Sequence, residues 1–374
     1  MPGVAAFVRG WFVEPPPTFE LRGPSARWGP AKPRQGPRTL RIAQVIQETP
    51  STRTFVLASP DGGAPALGYR AGQHLTLLVE AGGTVHRRCY SFSTSPLSDG
   101  LPAITVKRTP DGVVSRFLHE RLHAGDTLLT LEPTGEFTLP TDPAASRHLV
   151  LVAGGVGITP LASLAETVVR AEPASRVTLL CGNRCEDEII FRERLERLAA
   201  EFLPRLAVQH ALDEAPDGWT GLRGALDGRQ VLETLGDPTA DAYFVCGPDA
   251  MMRSVCAALA AAGVAGDRIR TERFAYASAA TTRIPDHAAE IRFTGSGRRA
   301  TARPGQTVLQ AGLEAGVELP FSCTMGGCGA CKVRRIEGSV VMSEPNCLSH
   351  HERDAGYLLA CCAYADSNLV IEGH

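Results

Sequence analysis

Residues 321–331 read Phe-Ser-Cys-Thr-Met-Gly-Gly-Cys-Gly-Ala-Cys, and residues 358–361 read Leu-Leu-Ala-Cys. Cys323, Cys328 and Cys331 thus stand as C-x4-C-x2-C, with Cys361 30 positions after Cys331. Four thiolates at this spacing suit two sulfide-bridged irons, a 2Fe–2S cluster. Gly326, Gly327 and Gly329 let the backbone wrap closely and turn N–H groups toward sulfur. Zinc is the competing reading of four cysteines. Zinc modules, however, usually carry two CxxC-like pairs, whereas three of these ligands share one glycine-rich loop. Cys362 adjoins Cys361 and competes with it as fourth ligand.

The rest of the chain bounds what such a cluster serves. Its 374 residues suffice for two or three domains, and a net charge of −2 gives no reason to expect nucleic acid or an acidic membrane as partner. Six of the 11 cysteines lie in the last 52 residues, and an odd total fits secretion poorly. The longest uncharged run, 148–165, contains Gly154, Gly155, Gly157 and Pro160, which fit a strand, a turn and a helix start better than a membrane span. A soluble, cytoplasmic protein without stable membrane insertion is expected.

Five segments follow along the chain. Residues 1–37 form a Pro/Arg-rich arm that cannot build a core; Trp11, Phe12 and Trp28 would serve it if it docked a partner. Residues 38–141 carry short strands separated by Gly and Pro turns, as in an antiparallel β-barrel. Residues 142–274 alternate strand and helix, with apolar runs at 148–152, 176–181 and 241–246 that predict an α/β domain on a parallel sheet. Residues 275–289 look like a linker, and 290–374 frame a helix near 307–315 with short strands.

Two of these segments hold further motifs. In the barrel, Arg88-Cys89-Tyr90-Ser91 offers a cation for phosphate, an aromatic face and a hydroxyl. Gly112-Val113-Val114-Ser115 precedes a helix whose free N–H groups suit a pyrophosphate, which favours FAD over FMN. Gly154-Gly155-Val156-Gly157-Ile158-Thr159-Pro160 follows an apolar strand and opens a helix, the setting of a dinucleotide loop. Pro160 replaces the usual third small residue but suits a first helical turn. Cys246-Gly247-Pro248 ends another strand, at the sheet edge where open α/β sheets bind ligands. Asn183 and Arg184 end the second strand; Arg184 suits a 2′-phosphate, so NADPH is expected, with NADH the alternative.

Residues 290–374 resemble a plant-type ferredoxin domain with its β-grasp (α+β) fold, which assigns Cys361 rather than Cys362 as ligand. Residues 39–274 resemble the ferredoxin-NADP reductase superfamily, through RxYS, GxxS, GGVGITP and CGP in that order. Reductase first and ferredoxin last is similar to the reductase components of phenylacetyl-CoA epoxidase-type oxygenases and desaturases. The resemblance implies that Arg88, Tyr90 and Ser91 hold the flavin, Val106 and Lys107 line it, and Val114 and Ser115 face its pyrophosphate. Gly155, Gly157, Thr159, Asn183, Arg184, Cys246, Gly247 and Pro248 would bind the nucleotide. Hydride would pass near Ser91 and Cys246, with no obligatory acid–base residue. The implied activity is NAD(P)H-dependent electron transfer through flavin and cluster to an oxygenase or desaturase. A hybrid-cluster or other non-oxygenase acceptor, or a redox sensor, is the alternative. Residues 290–374 carry nine acidic and eight basic side chains, so weak salt dependence of electron delivery is expected.

Overall fold

The computed structural model describes residues 37–81, 84–110, 112–274, 282–344, 346–348 and 350–372. The arm expected at 1–37, except for its last residue, and the first part of the linker expected at 275–289 lie outside them. The chain divides into two compact units, Thr39–Ala275 and one containing Tyr276–His374.

The first unit begins with strands β1 (Arg38–Thr49), β2 (Thr52–Ala58), β3 (His74–Ala81), β4 (Thr84–Ser91), β5 (Ala103–Lys107) and β6 (Thr127–Thr130). They form one sheet in the order β4-β3-β6-β1-β2-β5, and a bridge from Phe92 to Ile104 joins its two ends. Side chains alternate across a strand. Accordingly Leu40 and Ile42, Phe55 and Leu57, Leu75, Leu77 and Val79, and Ile104 and Val106 fill one barrel core. Helix α1 (Val113–Arg121) adds Val114 and Leu118 to that core.

Strands β7 (His148–Gly154), β8 (Arg176–Asn183), β9 (Leu206–Leu212), β10 (Leu222–Arg223), β11 (Ala242–Cys246) and β12 (Ile269–Glu272) follow, with helices α2 (Ile158–Ala171), α3 (Arg192–Glu201), α4 (Gly228–Leu235) and α5 (Asp249–Ala261). Their parallel sheet runs β10-β9-β8-β7-β11-β12. The apolar run of β7 serves two cores. Leu149, Leu151 and Ala153 pack with α2 and α3, while Val150 and Val152 pack with α4 and α5. From β7 the chain moves outward to β10, then returns to β11 on the other side. The strand order therefore reverses between β7 and β11, the place where open α/β sheets bind ligands.

Barrel and α/β domain meet along a polar seam. Ser163 Oγ donates to the Thr94 carbonyl at 2.6 Å, Ser95 and Thr167 hydroxyls lie 2.7 Å apart, and Arg194 donates to the Ser93 carbonyl and to Glu166, both at 2.7 Å. Each bond contributes about 1 kcal/mol net, but breaking one would leave a buried group unsatisfied at roughly 1–3 kcal/mol. The seam holds the two domains together, and Ser91, just upstream of it, lies beside Glu272 at the end of β12.

The second unit contains β13 (Ala289–Phe293), β14 (Arg299–Ala302), α6 (Val308–Glu314), β15 (Lys332–Glu337), β16 (Val340–Met342), α7 (His350–Asp354), β17 (Tyr357–Leu359), β18 (Ala363–Ala365) and β19 (Leu369–Glu372). Its main sheet runs β14-β13-β19-β15-β17, with β13 and β19 parallel; β16 and β18 pair separately. A capping box between Thr307 and Gln310 starts α6. Among the described residues no helix is long and apolar enough to cross a membrane.

Candidate functional site

The cluster loop is irregular from Leu319 to Ala330 because its backbone must turn repeatedly. Thr324, Gly326 and Gly329 take φ values of 58°, 73° and 71°, the left-handed region that glycine adopts without penalty. These turns aim amides at sulfur. Gly326 N–H donates to Cys361 Sγ at 3.2 Å, Met325 N–H to Cys323 Sγ at 3.4 Å, and Cys323 N–H to Cys328 Sγ at 3.5 Å. Strands β15 and β17 bring the distant fourth thiol home, since Lys332 pairs with Leu359 and Ala360 N–H donates to the Cys331 carbonyl at 3.0 Å. Hydrogen bonds from the thiols of Cys331 and then Cys362 hold the Cys361 thiol well below its ordinary pKa, and the contact with Cys361 pushes Cys331 up. No disulfide ties any of the cysteines. The converging thiols and sulfur-directed amides fit a 2Fe–2S cluster, and the amide bond to Cys361 favours it over its neighbour.

In the barrel, Arg88, Tyr90 and Ser91 lie along β4, opposite Leu77, Leu75 and His74 of β3. Val106 sends its side chain fully into the barrel core, and its carbonyl accepts from His119 Nε2 at 2.8 Å. Burial pushes the His119 pKa down, outweighing the bond to Val106, which pulls the other way. At the start of α1, Val114 is buried, and Ser115 Oγ lies 3.1 Å from Thr109 Oγ1. A Cβ on Gly112 would stand 2.1 Å from Thr109 Oγ1, so glycine keeps this turn tight.

The two candidate nucleotide loops are pressed together at the strand reversal. Cys246 pairs with Ala153, so CGP and GGVG leave neighbouring strands. A Cβ on Gly157 would stand 2.1 Å from the Cys246 carbonyl oxygen, and one on Gly247 would stand 2.8 Å from Gly154 Cα. Both obstacles are backbone, which cannot swing aside. Gly155 has φ of 50° and open space around its α-carbon, while a Cβ on Gly154 would meet Pro248 at 2.4 Å. Thr159 donates to the Val156 carbonyl at 3.0 Å, bracing the first turn of α2. Asn183 ends β8, and Arg184 follows it with its guanidinium on Glu188.

The sequence reading passed over one acid. Glu272 ends β12 and is the register partner of Cys246. Burial pushes its pKa up to about 8, the Ser91 hydroxyl pulling the other way. Cys246 is fully buried; burial first, then Glu272, pushes its thiol well up, so it is a neutral spacer rather than a nucleophile. His74 Nδ1 stands 4.0 Å from Glu272 Oε1, and His74 Nε2 lies 3.0 Å from Thr134 Oγ1. Ser91 Oγ and Glu272 Oε2 are buried and make no hydrogen bond of ordinary length among the described residues, although the hydroxyl stands near enough to the carboxyl to lower its pKa. Two buried polar groups so weakly satisfied at one spot are costly, and polar edges of a flavin ring would satisfy them. A strand-end glutamate has no spacing signature. Only the Cys246–Glu272 pairing exposes its place.

The sequence profile of the oxidoreductase FAD-binding domain family matches residues 39–139, that of the oxidoreductase NAD-binding domain family residues 151–257, and that of the 2Fe-2S iron-sulfur cluster binding domain residues 291–366. The chain is 33% identical to the ferredoxin reductase component of 3-ketosteroid-9-alpha-monooxygenase from Rhodococcus rhodochrous, over 87% of this chain and 93% of that one. It is 31% identical to one component of the 1,2-phenylacetyl-CoA epoxidase from Escherichia coli K12, over 89% and 97%. Among solved structures, phthalate dioxygenase reductase is similar at 26% identity and a TM-score of 0.59, covering 90% of this chain and 98% of that one.

Proposed function

This chain belongs to the family of oxygenase reductase components with FAD-binding, NAD-binding and 2Fe–2S domains in that order, and from that premise we propose that it carries electrons from a pyridine nucleotide to an oxygenase. Bound FAD would accept a hydride and release electrons singly, and a 2Fe–2S cluster would take them one at a time. The chain's own residues supply position and electrostatics. Arg88, Tyr90 and Ser91 are assigned to the flavin, with the α1 N-terminus at Val114 and Ser115 toward its pyrophosphate. Gly155, Gly157, Thr159, Gly247 and Pro248 are assigned to the nucleotide loops, and Cys246 to the wall beside the nicotinamide. Cys323, Cys328, Cys331 and Cys361 are assigned to iron.

Glu272 gains a role in this reading. A carboxyl that stays protonated near neutral pH, beside Ser91, can hold and exchange a proton at the flavin edge while electrons leave. The observation that carries the proposal is the buried pair Ser91 Oγ and Glu272 Oε2, brought near each other from barrel and α/β domain with neither making an ordinary hydrogen bond. A reducing compartment such as the cytoplasm suits a chain whose function needs free thiols. The test compares two acceptors for the purified holoenzyme. Ferricyanide can draw electrons from flavin, whereas cytochrome c should require the cluster. Both reductions are expected with a reduced pyridine nucleotide; ferricyanide reduction without cytochrome c reduction would remove the outgoing half of the path.

A further inference from the structure

Arg184 by itself argues for NADPH, because a guanidinium beyond the second strand suits a 2′-phosphate. The structure surrounds it differently. Arg184 Nη2 donates to Glu188 Oε1 at 2.6 Å, and Lys107 Nζ holds Glu188 Oε2 at 3.2 Å. One carboxylate thus bridges two cations, Arg184 from the end of β8 and Lys107 from the end of the barrel strand β5. Glu188 is not a loosely placed surface acid. Its amide donates to the Cys185 carbonyl at 3.2 Å, and the next residues, Ile189, Ile190 and Phe191, are buried and anchor the segment. Burial would raise its pKa, but the bonds from Arg184 and Lys107 outweigh that and hold it down, so the carboxylate is charged.

We propose that Glu188 sets the choice of nucleotide, accepting a bond from the ribose 2′-hydroxyl of NADH and excluding the 2′-phosphate of NADPH. The inference rests on the reading of the chain as a pyridine-nucleotide reductase. In doubly wound sheets an acid near the second strand recognises the ribose 2′-hydroxyl. No acid occupies the end of β8, and the short helix Glu186–Glu188 returns one to that spot. Glu188 already sits where a phosphate would sit, between the two cations. A 2′-phosphate must either displace it from both or lie beside a like charge. Discrimination of this kind comes from repulsion built against the wrong ligand as much as from attraction to the right one. Arg184 then serves to place the carboxylate.

The test measures kcat/KM for NADH and NADPH with ferricyanide, using the FAD-loaded full chain and its Glu188→Gln and Glu188→Gln/Arg184→Ala variants. It also measures binding of adenosine 2′,5′-bisphosphate against 5′-AMP. The wild type is expected to favour NADH at least tenfold. Glu188→Gln should raise the NADPH:NADH ratio at least tenfold and tighten the bisphosphate, and adding Arg184→Ala should abolish both gains. A wild-type preference for NADPH, or a ratio moved less than twofold by Glu188→Gln, overturns the inference and leaves the reductase standing. Failure of both nucleotides to reduce the wild-type flavin overturns the reductase reading and this inference with it.

Discussion

The candidate cluster loop and the candidate flavin–nucleotide site are built in opposite ways. Cys323, Cys328 and Cys331 share nine consecutive residues, and Cys361 joins them through the β15–β17 pairing. The other site gathers Ser91 from β4, Cys246 from β11, Glu272 from β12 and His74 from β3, so its geometry depends on two sheets and the seam between them. A local site fails when one ligand goes. A dispersed site fails gradually, because each residue contributes a part. The two should therefore respond to substitution on different scales.

Cys328→Ser should give the largest effect. Cytochrome c reduction is expected to fall more than about 100-fold, since three thiolates do not complete the four-ligand set. Ferricyanide reduction should change less than about threefold, because the electrons bound for it need not leave the flavin end. An equal loss of both would erase the distinction between the sites. Glu272→Gln should come next, slowing nucleotide-driven turnover by roughly 10–100-fold and flattening its pH profile near 8, as expected for loss of a positioned proton carrier. A variant with wild-type rate and profile would return Glu272 to a purely structural role.

Gly157→Ala should act more mildly on chemistry and mainly on the fold of the loop. Its new methyl would meet the Cys246 carbonyl, and overpacking of this kind costs about 1–3 kcal/mol. A raised KM for nucleotide and a lower Tm are expected together; an unchanged Tm would show that the two loops separate easily. The effect that should touch activity least is on the pH dependence of stability. Glu272 has a folded pKa of about 8 against an ordinary 4.5, so the folded state keeps a proton that the unfolded state loses. That stabilisation is full below about 4.5 and is lost as pH rises toward 8, at about 1.4 kcal/mol per pH unit within the window. Denaturant titrations of the flavin-free protein should show this decline, and Glu272→Gln should remove it.

The same contrast explains what the sequence disclosed. Barrel strands were legible because alternate residues such as Leu75, Leu77 and Val79 face one core. The parallel sheet was legible because β7 is apolar on both faces. The C-x4-C-x2-C loop and the two glycine loops carry their chemistry in adjacent residues. Glu272 and Glu188 do not. Each is an ordinary glutamate until strand pairing sets one beside Cys246 and a short helix folds the other back onto Arg184. The expectation of NADPH rests on Arg184 taken alone, and the proposed preference for NADH rests on its bond to Glu188, which no sequence spacing announces.

The most direct test of the account is an anaerobic titration of the holoenzyme with reduced nucleotide, followed by visible absorbance and electron paramagnetic resonance. FAD takes two electrons and the cluster one, so reduction should finish near 1.5 equivalents of a two-electron donor, with a rhombic 2Fe–2S signal alongside flavin bleaching. Completion near one equivalent, with the flavin bleached and no cluster signal, would contradict the claim that electrons leave through the C-terminal thiols.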